Sequence, residues 1–418
     1  MSCAVLAAVV LSAAGCTGSK SPTPRPSLGE IKIGVLAPRS GANRDAGTEA
    51  QRGAELAAEL INGEQGPAAL VGAGGLARLA GAKLTIVGAD TQGKSDQAAA
   101  EAVRLVSDGH VAGLVGAYDT LATEVASQRT ERLGVPFING DTTADYLTKR
   151  GLNWFFRTGP TDRMLGEAFV SALGQLGGTG QRIAVLFTND QPGNVVAKLT
   201  EELATEGGFP QVTKVRLEPG GDAVAAVRQL QTAPDQPDAV FLVAGDAGDA
   251  TKLLEAFRQL RYTPDGILAF GPGFTETGTL AAGDAEGLFS STAWSREVAG
   301  RSPVAKPVME MYEDRFGAPM GDVAAGSFTA VLVLADAIGR AGSTDPERVR
   351  SALLNLDIPG REMIMPWSGV RFDNAHQNTA AAGVIEQRVK GLFRVVFPDE
   401  LQPEDDAAVW PLSRLRKG

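Results

Sequence analysis

The stretch from Val111 to Thr143, VAGLVGAYDTLATEVASQRTERLGVPFINGDTT, constrains the fold more than any other part of the chain. A short apolar run, Val111–Val115, stops at Gly116 and reads as a buried parallel strand. The polar turn Ala117-Tyr118-Asp119-Thr120 follows. Next comes a helix in which Ala122, Val125, Ala126 and Leu133 recur at helical spacing, closed by Gly134. A second strand, Val135–Ile138, ends in the polar turn Asn139-Gly140-Asp141-Thr142-Thr143. Both turns therefore lie at the carboxyl ends of their strands, the edge at which open α/β sheets bind ligands. The unprotected N–H groups that open the helix point into the same space.

The same alternation runs through most of the chain. Strand Ile31–Leu36 leads to a polar loop and a helix from about Gly47 to Asn62. Strand Lys83–Ala89 leads to a helix from Ser95, with Ala99, Ala102, Val103 and Val106 expected to face inward. After Trp154–Arg157 the pattern restarts with strands Ile183–Phe187, Val212–Leu217, Ala239–Val243 and Ile267–Phe270, separated by helices. Two such series imply an α/β protein with two doubly wound lobes. The C-terminal third differs. Helices are expected over Val304–Phe316, Val323–Ala341 and from Asp345-Pro346, then antiparallel strands at Val370–Phe372, Val384–Val389 and Phe393–Phe397.

Polar turns recur at strand ends in both series: Asp119-Thr120, Asp141-Thr142-Thr143, Asp190-Gln191 and Asp246. Each could simply cap the helix that follows, Asp119 above all, but their recurrence at one edge points to a shared ligand cleft. Catalysis has little to work with. His110 and His376 stand apart from any serine or acid arrangement, and no G-x-S-x-G elbow occurs. No cluster has metal-ligand spacing. Gly72-Ala73-Gly74-Gly75-Leu76-Ala77 fits a dinucleotide fingerprint, yet Ala77 to Lys83 leaves no room for a crossover helix, so a surface loop is the better reading. The net charge of −10 supplies no footprint for nucleic acid. No stretch reaches the ~18 consecutive apolar residues of a membrane span.

The only two cysteines, Cys3 and Cys16, lie at the extreme N-terminus, so the body has no disulfide or thiol chemistry. Ala4–Ala14 is an apolar stretch of signal-peptide length, followed by Gly15-Cys16. Small residues before a cysteine resemble the lipobox of bacterial lipoproteins, in which the cysteine is lipidated. No Lys or Arg precedes the run, and Ala13 stands where leucine is usual. Thr17–Gly29, with three prolines, reads as a solvated tether. At ~3.1 Å per extended residue it could hold the body roughly 40 Å from a membrane.

With these residues in view, the chain resembles the type I periplasmic binding proteins, in the leucine/isoleucine/valine- and amide-binding branch of ABC-transporter receptors. The likeness rests on Ile31–Pro38, Ser40-Gly41, Arg52–Ala57 and Ile61-Asn62, then Arg104–Gly109, Gly134–Ile138, Phe156–Thr158, Pro237–Phe241 and Leu334–Ile338 in order. It implies two lobes joined by three crossings, here 30–157 with 294–364 and 158–293 with 365–418, after a leader (1–16) and tether (17–29). It also implies a ligand trapped between the lobes. The family's small hydroxyl residue that takes a ligand carboxylate falls at Thr120, and the threonine of the second turn at Thr143. Its aromatic positions fall on Ala46, Pro192 and Asp246, and its ammonium-binding acid on Gly273.

The resemblance thus implies a lipid-anchored, extracytoplasmic solute-binding protein that serves ABC permease subunits. No enzyme activity, cofactor or metal is implied. The expected ligand residues are Tyr118, Asp119, Thr120, Asp141, Thr142, Thr143, Gln191, Asp246 and Gly273, with Cys16 lipidated. Loss of the aromatic walls and gain of acids lead us to expect a small polar ligand rich in N–H or O–H donors. The alternatives are an envelope sensor or scaffold using the same cleft, and a nucleotide-dependent dehydrogenase, which the missing crossover helix counts against.

Overall fold

The computed structural model describes residues 29–63, 67, 70–71, 75–210, 212–245, 247–271, 273–274, 283–403 and 408–417. The leader with Cys3 and Cys16, the tether up to residue 28, Gly72–Gly74 of the glycine-rich loop, Asp246 and Pro272 lie outside them.

The first sheet is built from β1 (Glu30–Ala37), β2 (Lys83–Asp90), β3 (Gly113–Gly116), β4 (Phe137–Asn139) and β5 (Phe155–Arg157). They lie side by side in the order β2-β1-β3-β4-β5, all parallel. Helices α1 (Arg44–Asn62), α2 (Ser95–Ser107) and α3 (Thr120–Leu133) carry the chain between strands. Strand order reverses between β1 and β3, which makes the ends of those two strands the switch point of the sheet.

After α4 (Asp162–Gly177), the second sheet repeats that order. It comprises β6 (Ile183–Thr188), β7 (Val212–Leu217), β8 (Ala239–Val243), β9 (Gly266–Phe270) and β10 (Phe289–Thr292), connected through α5 (Gln191–Glu206), α6 (Ala223–Gln231) and α7 (Ala247–Leu260). Their spatial order is β7-β6-β8-β9-β10, again parallel, with the switch point between β6 and β8.

The chain then returns to the first sheet. It adds α8 (Arg296–Ala299), α9 (Ala305–Phe316), α10 (Asp322–Ala341), α11 (Pro346–Leu354) and the small ladder β11 (Ile358–Pro359) with β12 (Gly369–Val370). A final hairpin, β13 (Val384–Val389) and β14 (Leu392–Phe397), pairs antiparallel onto β10. Helix α10 is long and apolar enough to cross a membrane by length and composition, although polar residues interrupt its apolar run. It is instead a core helix. It packs lengthwise on α1, whose Gly53 lies so close to Ala324 that an added Cβ would fall 2.1 Å from the Ala324 carbonyl oxygen.

Three crossings join the two halves, and buried polar side chains stitch them together. Arg157 Nε donates to Gln377 Oε1 at 2.6 Å, Gln377 Nε2 to the Gly159 carbonyl at 2.9 Å, and Asn378 Nδ2 to the Thr158 carbonyl at 3.0 Å. Trp367 Nε1 donates to the Ala293 carbonyl at 2.9 Å. The core on the first sheet includes Trp367, Val370, Phe372 and Ala381, residues that the sequence reading assigned to the second lobe.

Several local expectations shift. The buried stripe of α2 is Ala98, Ala99, Ala102 and Leu105, while Val103 is exposed. In α3 the buried face carries Thr123, Ser127 and Thr130 beside Ala122 and Ala126, and Leu133 is exposed. Helix α4 and strand β10 are not among the expected elements, although Thr161 caps α4 and Leu165, Ala168, Phe169, Ala172 and Leu173 recur at helical spacing. Val370 pairs with Ile358 in its own two-stranded ladder, apart from the terminal hairpin.

Candidate functional site

The switch point of the first sheet is built by two tight exits. From β1 the chain passes Pro38 and Arg39 to Asn43, just ahead of α1. From β3 it turns through Ala117 and Tyr118, with the Asp119 N–H donating to the Ala117 carbonyl at 3.0 Å. Tyr118 takes φ +72°, a left-handed conformation that costs a bulky residue on the order of 1–2 kcal/mol and needs surroundings to hold it. The Ala117 N–H is held by the buried Thr123 Oγ1 at 3.2 Å, one turn into α3.

Asp119 occupies the position before α3, as expected, yet it does not cap that helix. Its Oδ1 accepts from Asn43 Nδ2 at 2.5 Å, while its buried Oδ2 has no partner. Burial pushes its carboxyl above the ordinary range, against the Asn43 hydrogen bond. The first N–H groups of α3, from Thr120 on, are thus left without a side-chain cap.

The exit of β4 is fixed by Asn139. Its Nδ2 donates to the Gly116 carbonyl at 2.8 Å, and its Oδ1 accepts from the Thr142 N–H (3.1 Å) and hydroxyl (2.5 Å). The Thr142 hydroxyl is therefore committed to the loop itself. Thr143 hydrogen-bonds the Asp162 carboxyl, which burial nevertheless pushes up to about 6. Between them, Asp141 is different. Both of its carboxylate oxygens are buried without a hydrogen-bond partner. Burial, then the negative fields of Asp322 and Glu49, push it up to about 8.

Glu49 and Asp322 were not singled out from sequence. Glu49 lies in the second turn of α1 and Asp322 opens α10, where an acid ordinarily reads as a partner for the helix dipole. Packing of α10 across α1 brings both to Tyr118, beside Asp119 and Asp141. Asp322 keeps solvent contact, yet the protein packed around it raises its carboxyl. The Tyr118 hydroxyl, desolvated and facing these four carboxylates, is held far above the ordinary tyrosine range and stays neutral.

The second lobe's switch point is knitted differently. Asp190 caps α5, accepting from the Gly193 N–H at 2.7 Å and from Thr188 Oγ1 at 2.9 Å, and Thr188 Oγ1 accepts from the Gly245 N–H at 3.2 Å. Gln191 is exposed at the start of α5, with Pro192 behind it. Gly273 is buried in the turn after β9, its N–H donating to the Ala244 carbonyl at 2.9 Å. Ala46 lies in the first turn of α1. A surface hollow lies elsewhere, among Arg78, Arg340, Glu347 and Arg348 at the far end of α10, ~30 Å along the helix from Asp322.

Residues 30–391 match the family model described as periplasmic binding protein. The chain is 28% identical over 388 residues to Leu/Ile/Val-binding protein homolog 7 of Brucella abortus, covering 90% of this chain and 93% of the relative. Its fold superposes with a TM-score of 0.70 on a leucine binding protein of Thermotoga maritima, at 24% identity, covering 87% of this chain and 97% of the other. It also superposes on a solute binding protein of Rhodopseudomonas palustris in complex with 3,4-dihydroxy benzoic acid, with a TM-score of 0.67 at 19% identity, covering 92% of this chain and 99% of the other.

Proposed function

Since the chain belongs to the periplasmic binding protein family, we propose that it captures a small polar solute, amino-acid-like or amide-like, between its lobes and delivers it to an ABC importer. The observation that carries this reading is the repetition of one strand order in two sheets, β2-β1-β3-β4-β5 and β7-β6-β8-β9-β10. Each sheet then has a switch point at its carboxyl edge, where a ligand can be gripped from both sides. The lobes are proposed as 30–157 with 294–381, and 158–293 with 382–418. Their three crossings form the hinge.

On the first lobe the proposed contacts are Tyr118, Asp119, Thr120, Asp141 and Thr143, with Thr142 acting through Asn139. On the second they are Gln191, Asp246 and Gly273. The uncapped N–H groups of α3 suit a ligand carboxylate at Thr120. Amino-acid chemistry is supported by the similarity to the Brucella Leu/Ile/Val-binding protein homolog, while the dihydroxybenzoate complex marks how widely ligands vary on this fold. We further propose that Cys16 carries the lipid anchor and that the tether spaces the body from the membrane.

Small-angle scattering of the full chain, titrated with amino acids and amides one at a time, tests the reading. A bound ligand should shrink the radius of gyration. Saturation by a ligand with no change in radius would argue for a static scaffold.

A further inference from the structure

Asp141 has no structural employment. It caps no helix, neither carboxylate oxygen finds a donor, and both are out of solvent. An asparagine or alanine there would avoid the cost of burying an unpaired acid. The start of α10 approaches both Asp141 and a carboxylate of α1: a Cβ on Gly326 would lie 2.8 Å from Asp141 Oδ1 and one on Gly321, next to Asp322, 2.5 Å from Glu49 Oε2. The charges of Asp322 and Glu49 both act on Asp141 and on Tyr118, and that of Asp119 on Tyr118. The strongest charges acting on Tyr118 and on Asp141 are all negative. A dipole partner explains Asp322 taken alone, but not its convergence with an orphaned aspartate.

Resting on the solute-binding reading above, we infer that the ligand is an organic cation whose ammonium or guanidinium group is received on the first lobe by Asp141 and Asp322, against the Tyr118 ring. Among the described residues, no group of three or more His, Cys, Asp and Glu is arranged to hold a metal ion. Acids spread over several elements suit a cation that distributes its charge over several N–H donors. A guanidinium or a primary ammonium supplies the donors that Asp141 lacks, and the neutral Tyr118 ring offers a face for cation–π contact. This places the positive group on the first lobe, away from Gly273.

Calorimetry on the full chain with matched pairs tests this: L-arginine against L-citrulline, and putrescine against 1,4-butanediol, with L-leucine as a further neutral probe. The charged member of at least one pair should bind at least about tenfold tighter than its neutral partner. Asp141→Asn and Asp322→Asn should each erode that preference about tenfold; Asp322, being solvent-exposed, keeps the test readable should Asp141→Asn fold poorly. Neutral probes binding as tightly as charged ones, no charged probe binding, or no loss in either variant would overturn the inference. Compaction in scattering with L-leucine or L-citrulline alone would leave the solute-binding reading standing while removing the cation. Neither binding nor compaction with any probe would count against both.

Discussion

Asn43 Nδ2 donates to Asp119 Oδ1 at 2.5 Å and so ties the exit of β1 to the exit of β3. Those are the two strands between which the order of the first sheet reverses. The bond turns Asp119 away from the cap position it occupies and leaves the start of α3 open. This helix terminus is thus left without a side-chain cap of its own, as the proposed carboxylate contact at Thr120 requires.

Removing that amide should cost both stability and binding. Asn43→Ala leaves the half-buried Asp119 carboxyl without its donor, a loss of about 1–3 kcal/mol. Thermal unfolding should report a lower Tm, and ligand affinity should fall with it. A variant with unchanged Tm would mean that water replaces the amide at no cost.

Asp141 predicts a pH dependence of known sign. Its carboxyl is raised in the folded state to about 8 from an ordinary value of 3.8. The folded protein therefore holds a proton that the unfolded chain has lost, and stability from this group is complete below pH ~4 and declines as pH rises through 8. Asp322 and Glu49, from α10 and α1, push in the same direction, and Tyr118 stays neutral. Ligand-free Asp141→Asn should gain about 2 °C or more in Tm at pH 8 and little at pH 4. A cationic ligand should bind more tightly as pH rises from 6 to 8 and release a proton, seen by calorimetry in buffers of different ionisation enthalpy.

Close approach of α10 is a precondition for the acid cluster. A Cβ on Gly326 would lie 2.8 Å from Asp141 Oδ1 and 2.9 Å from the Gly140 carbonyl oxygen. Gly326→Ala should destabilise by about 1–3 kcal/mol through overpacking, and weaken ligand binding by displacing the start of α10. Retention of parental affinity and Tm would show that the loop after β4 yields without consequence.

The hinge makes its own prediction. Arg157 is fully buried, and desolvation pushes its guanidinium down to about 10, still charged at neutral pH. Gln377→Ala takes the acceptor from Arg157 Nε and should cost about 2–3 kcal/mol, while Gln377→Glu keeps that acceptor but sets a carboxylate oxygen against the Gly159 and Asn378 carbonyls and should also destabilise. Chemical denaturation of both variants checks this; a variant as stable as the parent would mean that the network is dispensable.

For the anchor, Cys16→Ala should move the protein from the membrane to the soluble fraction. Equal retention of variant and parent in the membrane fraction, read by fractionation and blotting, would reject lipidation.

The alternation of apolar runs and polar turns was legible because it is local. Strands buried on both faces read as short apolar runs, glycine closes α3 at Gly134, and Asp345-Pro346 marks a helix start, all within a few residues of sequence. The strand-end turns at Tyr118–Thr120 and Asp141–Thr143 were legible for the same reason. Faces of helices were less so. In α3 three of the buried positions are threonine or serine, beside Ala122 and Ala126; the hydroxyls of Ser127 and Thr130 bond backward along the helix (Ser127 to the Thr123 carbonyl at 2.6 Å, Thr130 to the Ser127 carbonyl at 3.0 Å), so apolar spacing alone does not reveal them.

Sequence by itself determined the α/β class, the two series of strands and the edge that carries the polar turns. Tertiary structure alone decided which acids meet there. Glu49 and Asp322 are separated by more than half the chain, and nothing near either marks it as more than a helix-start acid. They reach Tyr118 because Gly53 and Gly326 let α10 lie close against α1 and the β4 exit, at the carboxyl edge of the sheet. Only that packing removes water from Asp141 and leaves its carboxyl without a partner.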